Sequence, residues 1–213
     1  MFITFEGIDF SGKSTQIRLL ETRLRTNGER VRLVREPGGT EISEKIRAIL
    51  LDRAHDAMDD VTEFLLFSAS RSQLVQEEIL PALASGVHVI ADRFHDSSTA
   101  YQGFGRGLDI EAIKAVHRIA THGLVPDLTF FIDIPVDASF ERRSKPDRTI
   151  DRMEAANRAF FERIRDGYLR LAEEHAFRFI RIDGMLAVDV IADMIWTAVS
   201  NRLSSTDATN ATP

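Results

Sequence analysis

The run Gly7-Ile8-Asp9-Phe10-Ser11-Gly12-Lys13-Ser14 fits G-x-x-x-x-G-K-[ST] and directly follows the apolar segment Phe2-Ile3-Thr4-Phe5. This motif requires a strand that delivers the loop and a helix that leaves it, so it fixes how the chain must start to fold. Glycines let such a loop curl with successive backbone N–H groups pointing inward. Lys13 adds a mobile positive charge, and Ser14 offers a hydroxyl to Mg²⁺. A glycine-containing turn is the plainer alternative, but the preceding strand makes it the rarer one. The chain is expected to bind nucleotide phosphates.

Apolar runs recur at Phe2-Phe5, Val31-Val34, Val87-Ala91, Leu128-Ile132 and Phe177-Ile182, separated by longer segments of helical periodicity. The alternation predicts an α/β fold with a five-stranded parallel sheet flanked by helices. Helices are expected from Lys13 to about Gly28, across Val61–Ala84 with a bend or early stop at Pro81, and over Ile110–Thr121, Ala155–Glu174 and Val188–Leu203. With 213 residues and 44% hydrophobic composition, the chain suits one domain over residues 1–203. The tail 204–213 is poor in apolar residues and is expected to be disordered. A net charge of -6 argues against nucleic-acid or anionic-membrane partners. The lack of cysteine, of a signal-like N-terminus and of a long apolar run makes a cytoplasmic protein the expectation.

Ligands of open parallel sheets bind beyond the carboxyl ends of the strands, so the residues that follow each strand are the ones to read. After the second strand, Arg35-Glu36-Pro37-Gly38-Gly39-Thr40 joins a rigid proline to two glycines that let backbone approach a ligand. Arg35 can fork onto a phosphate there, although an ordinary turn with a solvated arginine would look the same. After the third strand, Asp92 can hold Mg²⁺ directly or through water while Arg93 suits a second anion; a local ion pair is the alternative. Ser98, Tyr101 and Gln102 share one helical face, as do Phe67 and Arg71. Together they suit a planar heterocycle, with Phe67 stacking, Arg71 and Gln102 at the base edge and Tyr101 against the sugar. Phe67 is as well placed for core packing. Finally, the segment from Arg142 and Arg143 through Arg148 to Arg152 is basic and interrupted by Pro146. Arginines on a mobile segment can close over a transferring phosphoryl group, which predicts a short basic lid at about 142–153.

Phe5-Glu6-Gly7-Ile8-Asp9, the stretch from Arg35 to Thr40, and Asp92-Arg93-Phe94-His95-Asp96-Ser97-Ser98-Thr99-Ala100-Tyr101-Gln102-Gly103 together closely resemble the thymidylate kinase family. The resemblance runs from about residue 1 to about residue 200, and its third stretch is far more specific than a phosphate loop. It implies a three-layer P-loop NTPase fold, transfer of the γ-phosphoryl of ATP to dTMP with Mg²⁺, and a homodimer. Under it, residues Gly7 to Thr15 would bind ATP, with Lys13 at the β/γ-phosphates, Ser14 at the metal and Thr15 beside the α-phosphate. Asp9 would also meet the 3′-hydroxyl of dTMP. Arg35 and Arg93 would clamp the monophosphate, with Pro37 and Ser98 in the same acceptor site. Phe67 would stack on thymine, Arg71 and Gln102 would reach its edge, and Tyr101 would crowd the 2′ position. Glu36 and Asp92 would order the metal and its waters. Arg142 or Arg143 would flank adenine, near Asp183.

The chain departs from the family in one respect. One branch has an arginine after the loop aspartate and the other a glycine, whereas Phe10 stands here. The catalytic arginine is therefore expected from the lid, with Arg148 and Arg152 as candidates beside Lys13 and Arg93. Rival expectations are a kinase for another nucleoside monophosphate, such as dUMP or a purine nucleotide, and a GTP-gated switch. The switch would need an Asn-Lys-x-Asp segment, which the chain lacks.

Overall fold

The computed structural model describes residues 1–144 and 151–210, with side chains to residue 204. Strands β1 (Phe2–Glu6), β2 (Val31–Arg35), β3 (His88–Asp92), β4 (Leu128–Asp133) and β5 (Phe179–Asp183) form one parallel sheet in the order β2-β3-β1-β4-β5. Each takes in the charged residue that follows its apolar run. The carboxyl rim is thus edged by Glu6, Arg35, Asp92, Asp133 and Asp183.

The helices are α1 (Lys13–Thr26), α2 (Glu41–Leu51), α3 (Asp60–Leu74), α4 (Leu80–Ala84), α5 (His95–Ser98), α6 (Ile110–Ala120), α7 (Val136–Arg143), α8 (Arg158–Glu174) and α9 (Val188–Asn210). Because side chains alternate along a strand, β1 sends Ile3 and Phe5 to one face, where they pack with Leu20 and Leu24 of α1 and Ile191 and Ile195 of α9. Phe2 faces the other way and meets Phe94 edge-on at 4.9 Å between ring centroids. With both faces covered, the strand reads as a continuous apolar run. The chain leaves β1 through α1 on one face and leaves β3 through α5 and α6 toward the other side of β1. Their loops diverge, and that divergence opens the crevice in which the site lies.

The structure departs from the expected elements in three places. Pro81 does not stop the second long helix: a π-helical turn at Val75–Ile79 precedes it and the helix runs on to Ala84. A widened turn absorbs the missing N–H of proline without breaking the rod. Residues 204–210, expected as disordered tail, continue α9 to Asn210, and that stretch holds neither glycine nor proline to end it. Helix α2 was not anticipated; Thr40 caps it by accepting from the Ser43 N–H at 3.2 Å. Among the described residues no helix is long and apolar enough to cross a membrane.

Candidate active site

The loops after β1, β2 and β3 surround a cavity of about 500 Å³ at the carboxyl rim of the sheet. The first loop is held by its backbone. Gly7 has a φ of 136°, and a Cβ there would stand 2.5 Å from the Ile132 carbonyl oxygen, so only glycine lets β1 pass β4 this closely. Gly12, at φ 101°, turns the chain into α1. Of the three non-glycine residues in the left-handed conformation among the described residues, Phe10 at 63° and Arg93 at 73° line the cavity, and only His122 lies away from it. Strain at such positions is characteristic of sites where geometry is imposed for function.

Lys13 and Arg93 converge on a single atom. The Lys13 ammonium donates to the carbonyl oxygens of Gly7 at 3.1 Å and Ile8 at 3.0 Å, while Arg93 Nη1 donates to the same Gly7 oxygen at 3.0 Å. Asp9 accepts from Arg93 Nη2 at 2.6 Å and from the Tyr101 hydroxyl at 3.0 Å. Behind Arg93 lies a layer that sequence reading missed. Glu6 accepts from the hydroxyls of Ser97 at 2.5 Å and Tyr168 at 2.8 Å, and both hydroxyls in turn accept from Arg93. Glu6 and Tyr168 lie on β1 and α8, far apart in sequence, and no local spacing signals their contact.

This concentration of charge shifts proton affinities. Burial, aided by repulsion from Arg93, lowers Lys13 to about 8. Burial and the neighbouring Asp96 charge raise Glu6 to about 7. Burial alone would raise Asp9, but Arg93 and Lys13 outweigh it and hold its carboxyl below the usual range. Beside the phosphate loop the cavity therefore presents Lys13 and Arg93, with Asp9 between them, to an incoming anion.

On the β2 side, Arg35 pairs with Glu44 at 3.0 Å and donates to the Pro37 carbonyl at 3.1 Å. Arg47, on the unanticipated α2, donates to the same carbonyl at 2.7 Å and also lines the cavity. Deeper in, Arg71 grips Glu36 at 2.6 Å and the Ser98 hydroxyl at 3.0 Å, all three buried. Burial raises the Glu36 carboxyl, against the pull of Arg71. One oxygen of Glu36 and Nη1 of Arg71 have no hydrogen-bond partner among the described residues, although both side chains line the cavity. Orphaned polar atoms at a cavity wall are points where a ligand or water completes the set. Phe67, Tyr101 and Gln102 close this end. Near the phosphate loop, the Ser14 hydroxyl donates to Asp92 at 3.3 Å, a pairing of hydroxyl and carboxylate oxygens of the kind hard cations take.

Most expected site residues share this one cavity, including Ser11 and Thr15 of the phosphate loop. Gly7 and Ile8 contribute carbonyl oxygens rather than cavity wall. Arg142 lines the cavity and ties the loop to the β5 end, donating to Phe10 O at 3.0 Å and Gly184 O at 3.3 Å. The remainder stand elsewhere or lie outside the described residues. Arg152 is turned away: it is buried, donates to Leu50 O at 2.8 Å and pairs with Glu63 at 2.7 Å. Arg143 stacks over Phe140 at 4.3 Å and binds the Glu154 carbonyl, outside the cavity lining. Asp183 caps its own turn through the Met185 N–H at 2.9 Å and likewise does not line the cavity. Arg148 and the centre of the expected lid, residues 145–150, lie outside the described residues. Asp151, Met153 and Glu154, which follow, do line the cavity.

A family model described as thymidylate kinase matches residues 5–195. A thymidylate kinase of Caldanaerobacter subterraneus subsp. tengcongensis is 49% identical over 202 residues, covering 95% of this chain and 96% of that protein. One from Trichlorobacter lovleyi is 46% identical over 209 residues, covering 96% and 99%. Among solved structures, thymidylate kinase from Ehrlichia chaffeensis superposes with a TM-score of 0.76 at 34% identity, covering 94% of this chain and 98% of that one.

Proposed function

The chain belongs to the thymidylate kinase family and phosphorylates dTMP with ATP, and from that premise we propose how its residues divide the work. The observation that carries the division is the shared Gly7 carbonyl, where Lys13 and Arg93 meet inside one cavity. Lys13 and the amides of the loop hold the β/γ-phosphates of ATP, and Arg93 with Arg35 holds the phosphate of dTMP. Phosphoryl transfer leaves little covalent chemistry to a protein, so positioning and charge stabilisation supply most of the catalysis. Two cations hinged on one peptide group set donor and acceptor head to head. Asp9, pinned between Arg93 and Tyr101, accepts from the 3′-hydroxyl of dTMP. Phe67 stacks on the base, Arg71 and Gln102 read its edge, and Tyr101 fills the space a 2′-hydroxyl would need. A rival purine acceptor would leave those partners unmet, and the comparisons favour neither it nor a switch protein.

Mg²⁺ fits the oxygen donors present: Ser14 and Asp92 would hold it, with the unpaired oxygen of Glu36 taking one of its waters. When bound it offsets charge on the phosphates. Among the described residues no three carboxylate or imidazole groups converge, as suits a cation held largely by substrate. With Arg152 committed to Glu63, Arg148 is the lid arginine we assign to the transferring group, and Arg142 borders the adenine. We also propose a homodimer, supported by the apolar side chains that the packed pair α2 and α3 exposes, Ile42 and Ile49 on one and Val61 and Leu65 on the other. A cytoplasmic location suits a cysteine-free chain whose substrates are nucleotides.

Two measurements check the reading. In an acceptor panel with ATP, dTMP is expected to be the best substrate, followed by dUMP, with ATP consumption negligible when no acceptor is added. Equal turnover of dGMP or AMP would overturn the base-pocket assignment. The second is pH dependence. Lys13 faces Arg93, Asp92, Asp9 and Glu6, and its folded value of about 8 lies below the unperturbed 10.5. Its charged form binds phosphate, so kcat/KM for ATP is expected to hold below pH 8 and fall about tenfold per unit above it. Bound phosphates favour the ammonium, so kcat should stay level to higher pH. A kcat/KM that is flat to pH 9.5 would remove Lys13 from ATP recognition.

A further inference from the structure

Glu63, on α3, has no exposed surface and no contact with the cavity, yet four hydrogen bonds and ion pairs end on it. Its Oε1 accepts from Gln102 Nε2 at 3.0 Å and from Arg106 Nε at 3.3 Å. Its Oε2 accepts from Arg106 Nη2 at 3.0 Å and pairs with Arg152 Nη2 at 2.7 Å. Both carboxylate oxygens are thus engaged as acceptors by guanidinium groups, which leaves Glu63 nothing to donate. The Gln102 amide must therefore turn its NH₂ toward Glu63, because the reverse orientation would set carbonyl oxygen against carboxylate oxygen in a buried site. That leaves Gln102 Oε1, which accepts no hydrogen bond from any described residue, as the end presented to the cavity.

We propose that Glu63 is a positioning residue for base specificity: it fixes the Gln102 side-chain amide so that the acceptor pocket shows the base a hydrogen-bond acceptor. The proposal rests on the thymine-pocket reading above and deepens it. Thymine presents an N3–H donor next to the O4 acceptor. Gln102 Oε1 matches the first, and the unpartnered Nη1 of Arg71 matches the second. Cytosine presents the reverse, an N3 acceptor beside an amino donor, so it would set acceptor against acceptor and donor against donor. An unmade buried hydrogen bond on each side makes such a mismatch a strong rejection. Without a charge at position 63, the Gln102 amide is free to rotate and the distinction weakens.

The test is the ratio of kcat/KM for dTMP to that for dCMP, measured in the parent, Glu63→Gln, Gln102→Leu, the double variant and Glu63→Asp. Glu63→Gln is expected to lower the ratio at least tenfold when Gln102 is present and to change it less than twofold in the Gln102→Leu background. Glu63→Asp keeps the charge for Arg106 and Arg152 but withdraws from the amide. It is expected to shift the ratio in the same direction, and it serves if Glu63→Gln fails to fold. A general loss of packing would lower both substrates together and leave the ratio unchanged. A ratio that falls with Gln102→Leu but not with either Glu63 variant, or that falls equally in both backgrounds, overturns the role of Glu63 alone. A ratio untouched by Gln102→Leu overturns the pocket reading and the proposal with it.

Discussion

Replacing Lys13 by alanine is expected to lower kcat about a thousandfold, some 4 kcal/mol of transition-state stabilisation, while leaving the fold intact. The magnitude follows from position. A buried ammonium beside the phosphate loop acts where charge spreads over the moving phosphoryl group, and among the described residues no other lysine lines the cavity. The side chain is 7% exposed rather than surface-facing, and burial works against its charge, so its removal relieves a penalty as well as deleting hydrogen bonds. Below pH 8 the folded protein holds this proton less favourably than the unfolded chain does, so Lys13 lowers stability there and its loss does not. Thermal melting of the nucleotide-free variant should fall by no more than about 3 °C, roughly 1 kcal/mol for a chain of this size. Near-normal turnover in a folded variant would remove the phosphate loop from the chemistry.

Replacing Arg93 by alanine is expected to reduce kcat/KM for dTMP about a thousandfold while changing KM for ATP only a few fold. Two effects add. The acceptor phosphate loses a charge-assisted donor, and Asp9, 2.6 Å from the deleted guanidinium, is left as an unbalanced negative charge facing a dianion. Steady-state kinetics with each substrate varied in turn separates the two sites, and equal losses for ATP and dTMP would take Arg93 out of the acceptor clamp. The second effect has its own check. Adding Asp9→Asn to the alanine variant should recover about tenfold in kcat/KM for dTMP, because it removes the repulsion without restoring the donor.

Much of the fold was legible because the sheet is parallel and buried on both faces. Its strands therefore announce themselves as apolar runs, and each loop of interest begins where a run ends. The phosphate loop, Asp92-Arg93 and the face shared by Tyr101 and Gln102 were readable for the same reason: local spacing suffices when neighbours in sequence are neighbours at the rim. Helix α2, which was not anticipated, carries a helical spacing in Ile42, Ile46, Ile49 and Leu50, but of these only Leu50 is buried, so most of that apolar face does not turn to the core. With it went Arg47, whose reach to Pro37 depends on that helix. Pro81 misled for a different reason, because a widened turn upstream takes up what a regular helix could not. The lid arginines show the limit most clearly. A basic run states that cations are near but not which way they turn, and Arg152 turns to Glu63 across 89 residues of chain. Glu63 and Glu6 belong to the same class: buried carboxylates whose partners come from distant elements, so their roles emerge only once the chain is folded.

Under the proposed division of work, the meeting of Lys13 and Arg93 on the Gly7 oxygen, with Gly7 itself wedged against the Ile132 carbonyl, would give both substrates a common origin of coordinates. A shift of that peptide would carry the two anchoring groups in step, so the gap that the travelling group must cross would be insulated from it. Reactivity can then stay constant while the loop breathes, and evolution is free to vary the walls of the site as long as that one peptide plane stays where it is.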